Sequence, residues 1–488
     1  MRYGIRIFAV FAFGLTLATS AWAQWSSDPS QNLDLSNISG ADQVQPKLLP
    51  LPNNSWYVSW FNNNPNDPPP NGYDVYYQMF SPNGVEQFPH DGVQVAKLTL
   101  SSTEDYGLAI DAAGNALLAF LDDRKDPDNP QVTAAKMSPT GQPLWGPSGV
   151  ALTWNPGFHA APKIAATSDG GIVLAWTKDS SVVLQKLDAN GNPLWIGATA
   201  FDYGITIGES GFNYLLADLH ASDNGSVIVS WVRNHGFGSN AYLYANKVSS
   251  TGHLLWGSGH VKVFDGGSLQ FGEFPYFVPD GAGGAVFSWY SNSPSLQVYA
   301  QHILSNGTET FGHNGSVGST NSFNVRVSPS ASYNPATQET FLFWTEEDSN
   351  QFTNGVSGQK FNSAGTRQWT DSGLTIVPLG SDSQIFVENV QIGTGALVFW
   401  FDQPGFGSGT IQAIKLAGDG STVCSQFPVS SASSDKSRLA AGIASSGLSA
   451  LTWEDDRNGE NDIYIQNVNP DCSLGIETRL RRRVAASN

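Results

Sequence analysis

Charged residues are scarce in this chain, at 14 %, and basic residues are the scarcer kind, with 24 Lys and Arg against 42 Asp and Glu. The formal net charge of −18 argues against binding to a nucleic-acid backbone, which requires a basic surface. The one basic run, Arg479 to Arg483, belongs to a C-terminal segment, residues 476–488, that we interpret as a disordered tail. A nucleic-acid site in that run is the alternative.

Long apolar runs are lacking as well. Beyond the N-terminus no stretch approaches the roughly 18 apolar residues that a membrane-spanning helix needs, so no membrane span is expected. The N-terminal residues 1–23 have the pattern of a signal peptide, with Arg2 and Arg6 ahead of an apolar run and a small-x-small cleavage site at Ala21–Ala23. The mature chain is therefore predicted to be exported to the periplasm or the extracellular space.

Cysteine is nearly absent, since the chain has only Cys424 and Cys472. In an exported protein such a pair indicates one disulfide bond, which would link two neighbouring repeats of the fold described below. Two free buried thiols are the alternative. A catalytic thiol is a third interpretation, but no histidine is placed at a fixed spacing from either residue.

Glycine (51 residues) and aromatic residues (12 %) are abundant, which favours short strands joined by tight turns. Eight short apolar runs end in a large aromatic residue and recur every 53 to 60 residues. A period of this length indicates a repeat architecture, and each repeat has room for the four antiparallel strands of a propeller blade. The aromatic residues of this first column are Trp60, Phe120, Trp176, Trp231, Trp289, Trp344, Trp400 and Trp453.

A second column places an aromatic residue four positions after a turn glycine in six repeats, and Cys424 has the same position in a seventh. The eighth repeat lacks it, but residues 24–40 offer Trp25 and an apolar strand that would supply the missing part. We therefore predict an all-β, single eight-bladed propeller over residues 24–475, closed by the N-terminal strand in the last blade. Closure removes the exposed sheet edges. The blades are predicted to start near residues 46, 104, 160, 213, 273, 325, 384 and 437.

Two segments resemble repeats of exported bacterial β-propeller proteins: Trp453–Arg457 with Asn461–Gln466, and Gln185–Trp195. The resemblance spans about residues 24 to 475 and implies the fold without implying an activity. The Gly-x-x-x-Trp element is also distantly similar to the repeat of the eight-bladed quinoprotein dehydrogenases. That similarity is limited to the packing of the tryptophan, because the sequence has no vicinal cysteine pair and no recognisable set of quinone-binding residues.

Candidate ligand-binding residues fall in loops on the face where propellers usually bind. The crossing into blade three holds Trp154, Phe158 and His159, and a loop of blade four holds His235 and Phe237. Aromatic side chains in such loops stack on sugar rings, although packing within the loop is the alternative. The third position after each first-column residue is an amide or a carboxylate, among them Glu347. A rim that binds sugar or a cation is one interpretation, and local hydrogen bonds to the backbone are the other.

Blade eight carries the best candidate metal site, with oxygen-bearing side chains at every second position. That alternation is typical of calcium loops, but the bidentate glutamate that usually ends them is absent. Calcium is thus a candidate cofactor, and hydrogen bonds within the turn are the alternative. The residues are Asp456, Asn458, Glu460 and Asp462.

The function that this pattern favours is an exported, monomeric binding or surface-interaction module. A polysaccharide or another component of the cell envelope is its expected partner. The alternative is a polysaccharide-active enzyme, a lyase or a glycoside hydrolase at the channel mouth, where carboxylates such as Glu347 and Asp402 could take part. A structural role in the cell envelope is the third possibility.

Overall fold

The computed structural model describes residues 24–63, 65, 72–100, 103–153, 157–195, 204–293 and 295–476. These residues form eight antiparallel sheets, the blades of a propeller, and one short 3-10 helix at Asp223–Gly225. The predicted fold class is confirmed. The predicted signal peptide, Trp154 and nearly all of the basic tail lie outside the described residues. No helix within these ranges is long and apolar enough to cross a membrane.

Blades one to four are formed by consecutive strands. Blade one consists of β2 (Asp42–Pro50), β3 (Trp56–Asn63), β4 (Tyr73–Phe80) and β5 (Val93–Ala96). Blade two consists of β6 (Gly107–Ile110), β7 (Ala116–Asp122), β8 (Gln131–Met137) and β9 (Val150–Ala151). Blade three consists of β10 (His159–Ala166), β11 (Ile172–Lys178), β12 (Ser181–Leu187) and β13 (Ile205–Ile207). Blade four consists of β14 (Asn213–Ala221), β15 (Val227–Asn234), β16 (Tyr242–Val248) and β17 (Val261–Phe264).

Blades five to eight continue the pattern, with two exceptions. Blade five has its first strand divided into β18 (Ser268–Leu269) and β19 (Phe277–Pro279), followed by β20 (Ala285–Ser293), β21 (Gln297–Ile303) and β22 (Ser316–Val317). Blade six consists of β23 (Asn324–Asn334), β24 (Glu339–Asp348), β25 (Asn354–Phe361) and β26 (Leu374–Gly380). Blade seven consists of β27 (Ser383–Ile392), β28 (Gly395–Gln403), β29 (Gly409–Leu416) and β30 (Thr422–Ser434). Blade eight consists of β31 (Lys436–Ile443), β32 (Ser449–Asp455), β33 (Asp462–Val468) and the N-terminal β1 (Leu33–Ser36).

The first aromatic column forms the core between blades. Its seven tryptophans are completely buried, and Phe120 is 1 % exposed. Each lies in the second strand of its blade, where apolar residues on both faces of the strand are buried because blades pack on either side. Burial of these large side chains between sheets removes apolar surface from water and stabilises the fold.

The second column joins each blade to the next. Four of its tryptophans donate their indole N–H to a backbone carbonyl in a turn of the following blade, as Trp195 does to Ser250 at 3.1 Å. Trp145, Trp256 and Trp369 make the same kind of bond to Ala189, Ser305 and Gly418. The contact therefore repeats in several blades and links each of them to the next.

The ring closes through the N-terminal strand. Strand β1 pairs with β33, with Leu33 opposite Ile465. Trp25 repeats the contact of the second column, since its indole donates to the Pro82 carbonyl at 2.8 Å and its ring lies against Gly84 of blade one. Gly84 has φ of +78°, and a Cβ there would come within 2.6 Å of Trp25, so this position requires glycine.

A disulfide bond links blade seven to blade eight, where the second column has cysteine instead of an aromatic residue. Cys424 in β30 is bonded to Cys472 in the turn after β33, with 6.6 Å between their Cα atoms. The predicted disulfide is confirmed. It joins the same two structural positions that the tryptophan contact joins between other blades. A disulfide is also typical of proteins that fold in an oxidising compartment.

Candidate functional site

The axial cavity lies where the crossings between blades enter the first strands. Its volume is about 970 Å³, and seven blades, from blade two to blade eight, line it. Contributions come from the beginning of each first strand, such as Glu104 in blade two, Ala161 in blade three and Arg438 in blade eight. The cavity therefore lies at the mouth of the channel, on the face of the crossings and of the loops between second and third strands.

A bulge in the first strand shapes the cavity wall. In six blades the first strand has one more residue than the second strand at the point where the register shifts, so one residue of the first strand is inserted. In five of these the bulge contains a residue other than glycine with positive φ, between 49° and 56°. Each such residue costs on the order of 1–3 kcal/mol and persists only where its surroundings enforce it, which occurs most often at functional sites. The residues are Gln45, Ala161, Ser328, Phe386 and Arg438.

The bulge brings one position of each first strand to the axis. The residue after the bulge lies opposite the residue that precedes the first-column aromatic, as Lys163 lies opposite Ala175 and Glu388 opposite Phe399. This shared register places charged and polar side chains from different blades side by side around the channel. The members of this ring include Lys47, Lys163, Asp218, Ser330 and Glu388.

A hydrogen-bonded group that we call the charged floor borders the cavity. It consists of Lys47, Asp105, Lys163 and Tyr276. The Asp105 carboxylate accepts a bond from Lys47 at 2.7 Å and a short bond from Lys163. The Tyr276 hydroxyl lies 3.4 Å from the same carboxylate, and Lys163 lies over its ring at 5.1 Å. One carboxylate therefore links blades one, three and five.

The charges in the floor keep Asp105 ionised. Burial alone would raise the pKa of Asp105, but the Lys47 and Lys163 ammonium groups outweigh it and hold that pKa well below its usual range. Burial alone would lower the pKa of Lys163, but the Asp105 carboxylate outweighs burial and raises that pKa. Although Lys163 favours the phenolate, burial and the Asp105 carboxylate together raise the pKa of Tyr276 to about 12.

Three other carboxyl groups lie in the cavity wall, and burial favours their neutral forms. Glu388 accepts a hydrogen bond from the Ser330 hydroxyl at 2.9 Å, and burial raises its pKa to about 7. Burial raises the pKa of Glu273 well above its usual range, although its Oε1 accepts the Tyr290 N–H at 2.9 Å. The other oxygen of Glu273 is buried and has no partner among the described residues. Burial also raises the pKa of Glu104.

Aromatic rings are exposed in the same wall. Phe158, Phe274, Tyr276 and Phe386 all line the cavity and are at least 40 % exposed. Arg438 lies among them in the cavity wall. The cavity thus combines open apolar ring faces with groups that donate and accept hydrogen bonds.

Of the residues predicted in the crossing into blade three, Phe158 lines the cavity and His159 does not. His159 is 4 % exposed at the start of β10. Burial lowers the pKa of its imidazole, and the nearby Lys178 adds to this effect, which favours the neutral ring. Its position is that of a packed side chain beneath the loop.

The other predicted ligand residues lie farther out on the same face. His235 stacks on Phe212 with ring centroids 3.9 Å apart, and Phe237 is exposed at the tip of its loop. Glu347 accepts a bond from Gln351 at 2.7 Å, and Asp402 accepts one from Gln384 at 2.7 Å. None of these four lines the axial cavity.

The ring of amides and carboxylates after the first column bonds to nearby backbone in several blades. Asp123 accepts the Thr99 N–H at 2.9 Å, Asp179 accepts the Phe158 N–H at 3.1 Å, and Asn234 accepts the Gly236 N–H at 2.8 Å. These bonds support the interpretation that the side chains hold the crossings and loops.

The candidate calcium loop of blade eight is hydrogen-bonded within itself. The Asn458 amide nitrogen donates to Asp462 and to the Tyr464 hydroxyl, both at 2.9 Å, and Asp456 accepts the Asp435 N–H at 2.7 Å. Burial is the main reason that the pKa of Asp462 rises to about 6. Among the described residues no group of three or more His, Cys, Asp or Glu side chains is placed to hold a metal ion. Calcium binding here stays a prediction.

The sequence analysis missed the cavity residues that lie in the first strands or just before them, namely Glu104, Asp105, Glu273, Tyr276, Glu388 and Arg438. A signal for the bulge and for the axial position after it was present at other residues. In three blades a proline occupies the bulge 14 or 15 residues before the first-column tryptophan, and the axial residue follows it directly. The segments are Gln45–Lys47, Ala161–Lys163 and Ser328–Ser330.

Comparison with known proteins gives likeness in fold alone. No protein-family model matches the chain, and no curated protein does. A protein of unknown function from Dyadobacter fermentans is 8 % identical, with 92 % of this chain and 99 % of that one covered and a TM-score of 0.42. The polysaccharide lyase Uly1 is 11 % identical, with coverage of 87 % and 89 % and a TM-score of 0.43.

The β-propeller domain of the Trilobed protease from Pyrococcus furiosus is a third similar structure. It is 8 % identical, with 81 % of this chain and 97 % of that one covered and a TM-score of 0.41. These likenesses concern the path of the backbone. The resemblance to exported bacterial repeat proteins and to quinoproteins stays a prediction beyond the fold.

Proposed function

We propose that this protein is a carbohydrate-binding module and that the axial cavity holds the sugar. The observation that carries the proposal is the cavity wall, where four exposed aromatic rings stand beside carboxyl, hydroxyl and guanidinium groups. A sugar ring has apolar C–H faces and a rim of hydroxyl groups, so it requires this combination of surfaces. The volume of about 970 Å³ lies within the range of ligand sites and has room for several sugar units.

The state of the carboxyl groups supports a ligand that both donates and accepts hydrogen bonds. A neutral carboxyl group donates through its O–H and accepts through its other oxygen, whereas an ionised one only accepts. Burial raises the pKa of Glu273 well above its usual range, which favours the neutral form, and one of its oxygens lacks a partner among the described residues. A buried polar atom without a partner is costly, and a ligand hydroxyl that bonds to it would recover that cost.

Calorimetric titration with short oligosaccharides tests the proposal. The probes are oligosaccharides from cellulose, xylan, chitin and β-1,3-glucan, with those from alginate and polygalacturonate as acidic counterparts. We expect binding by the unaltered protein and an affinity about 10-fold lower in Phe386→Ala, which removes one exposed ring from the wall. Phe406→Ala is the matched control, because Phe406 is fully exposed on a blade-seven loop and does not line the cavity. Equal affinity in the two variants, or no binding by the unaltered protein, would overturn the proposal.

A polysaccharide-active enzyme is the second candidate, and the pKa of Glu388 favours it. A carboxyl group with a pKa of about 7 is suited to act as a general acid near neutral pH. Its role would be to protonate the leaving glycosidic oxygen, as in glycoside hydrolysis. The test is the appearance of new reducing ends when the same polysaccharides are incubated with the protein and with Glu388→Gln. Release by the unaltered protein that the variant lacks would favour the enzyme, and no release would refute it.

A further inference from the structure

One segment of blade five leads from the rim of the cavity face to the channel axis. Strands β18 and β19 are separated by residues 270–276, which are outside the strands and contain Phe271, Phe274 and Tyr276. Tyr276 lies at the axis in the charged floor, and Phe274 lines the cavity wall. Phe271 lies beyond the cavity, so the three rings follow one another outward.

A ring from blade four extends this series. Phe237, in the loop between β15 and β16, meets Phe271 edge to face with centroids 5.5 Å apart. Phe237 is 94 % exposed and Phe271 75 % exposed. Two glycines flank Phe237, and the space beside each is open, so the ring is accessible from several sides. We call Phe237, Phe271, Phe274 and Tyr276 the aromatic track.

The charged floor holds the inner end of this series. Asp105 is hydrogen-bonded to Lys47 and Lys163, and Tyr276 lies within bonding distance of it. Tyr276 is nevertheless 59 % exposed, so it offers a surface to a ligand beside these charged groups.

We propose that the ligand is an extended glycan that occupies the axial cavity and lies along the aromatic track toward blade four. This inference rests on the proposed function and specifies the ligand of the same site. The occupant is a glycan because the track is continuous with the cavity through Phe274 and Tyr276. Phe237 is carried by a loop, Gly236–Asn240, whose other residues are small or polar, so its exposed ring extends the track for a further sugar unit.

The test compares chain lengths. Oligosaccharides of two and of eight units, prepared from the polysaccharide that binds in the titration described above, are titrated into the unaltered protein, Phe271→Ala, Phe237→Ala and Phe406→Ala. Because Phe237 and Phe271 are exposed, the variants are expected to fold normally. We expect Phe271→Ala and Phe237→Ala to weaken binding of the longer chain about 3- to 10-fold, which is the usual contribution of an aromatic contact. The change for the shorter chain is expected to be less than about 2-fold, within the variation of surface substitutions.

The outcomes separate the track from the cavity. An equal loss for both lengths, no loss for the longer chain, or the same loss in Phe406→Ala would overturn the track and leave the cavity proposal standing. A longer chain that binds no more tightly than the shorter one to the unaltered protein would also overturn it. Absence of binding by every probe would overturn the proposed function and the track together.

Discussion

The Tyr276 hydroxyl of blade five lies 3.4 Å from the Asp105 carboxylate of blade two. The two residues are 171 positions apart in sequence, and the contact exists only because the blades surround a common axis. It joins the charged floor to the blade-five segment that carries Phe274 and Tyr276 into the cavity wall. The account of the site depends on this contact.

Replacing Asp105 by Asn should destabilise the protein by about 3 kcal/mol. The substitution removes the one carboxylate that pairs with both Lys47 and Lys163, and it leaves two partly buried ammonium groups beside each other. Urea unfolding of the variant and the unaltered protein measures the difference. Asp371→Asn is the control, because its ion pair with Arg367 is solvent-exposed and should change stability by less than about 1 kcal/mol. Similar midpoints for the two variants would mean that the charged floor is not held by Asp105.

Replacing Glu388 by Gln should change how stability depends on pH. The pKa of Glu388 is about 7 in the folded protein and near 4.5 in the unfolded chain, so the unfolded chain loses its proton first as the pH rises. As the pH rises from about 4.5 to about 7, the contribution of Glu388 should lower the free energy of unfolding. The substitution to Gln should remove this decrease. The quantity to compare is the Tm of Glu388→Gln minus the Tm of the unaltered protein. We expect this difference to be about 3 °C more positive at pH 8 than at pH 5.

The control for this pH series is Glu347→Gln on the rim of the same face. In thermal unfolding scans, the change in Tm between pH 5 and pH 8 should be the same for this variant and for the unaltered protein. A Glu388→Gln variant that follows the same parallel course would contradict a neutral, buried Glu388.

Replacing Trp25 by Ala should cost about 3–5 kcal/mol, as for other large buried aromatic residues. The substitution removes the bond to the Pro82 carbonyl and the ring contact with Phe80, and it weakens the closure between blades eight and one. Chemical unfolding measures the loss, and limited proteolysis should cut the variant first near β1. Trp25 variants as stable as the unaltered protein would show that closure does not depend on this contact.

Replacing both cysteines by Ser should destabilise the protein by about 4 kcal/mol, since the bond closes a loop between residues 48 positions apart. Unfolding of the double variant without reductant, compared with the unaltered protein with and without reductant, measures this contribution. The reduced protein and the double variant should behave alike. If reductant leaves the unaltered protein as stable as before, the disulfide is not what joins blades seven and eight.

The architecture could be predicted because it depends on side chains that repeat along the chain. The first aromatic column gave the number of blades, and the absence of a second-column residue in the last repeat led to Trp25. Phe88 and Cys424 occupy the same column as the tryptophans, and this shared spacing located one end of the disulfide. Periodic burial is a local property, and it can be recognised in sequence.

The cavity could not be predicted in the same way, because a one-residue bulge decides which side chains face the axis. Alternation along a strand reverses when one residue is inserted, so the orientation of Glu388 cannot be obtained by counting from Trp400. Tyr276 was missed for a different reason. It lies between two short strand segments, and its partner Asp105 belongs to another blade.

A crystal structure of the protein with an oligosaccharide that binds in the titration tests the central claim most directly. The account predicts sugar density in the axial cavity, with a ring against Tyr276 or Phe386 and a sugar hydroxyl bonded to Glu273. An oligosaccharide bound elsewhere, with that cavity containing only water at saturating ligand, would contradict it.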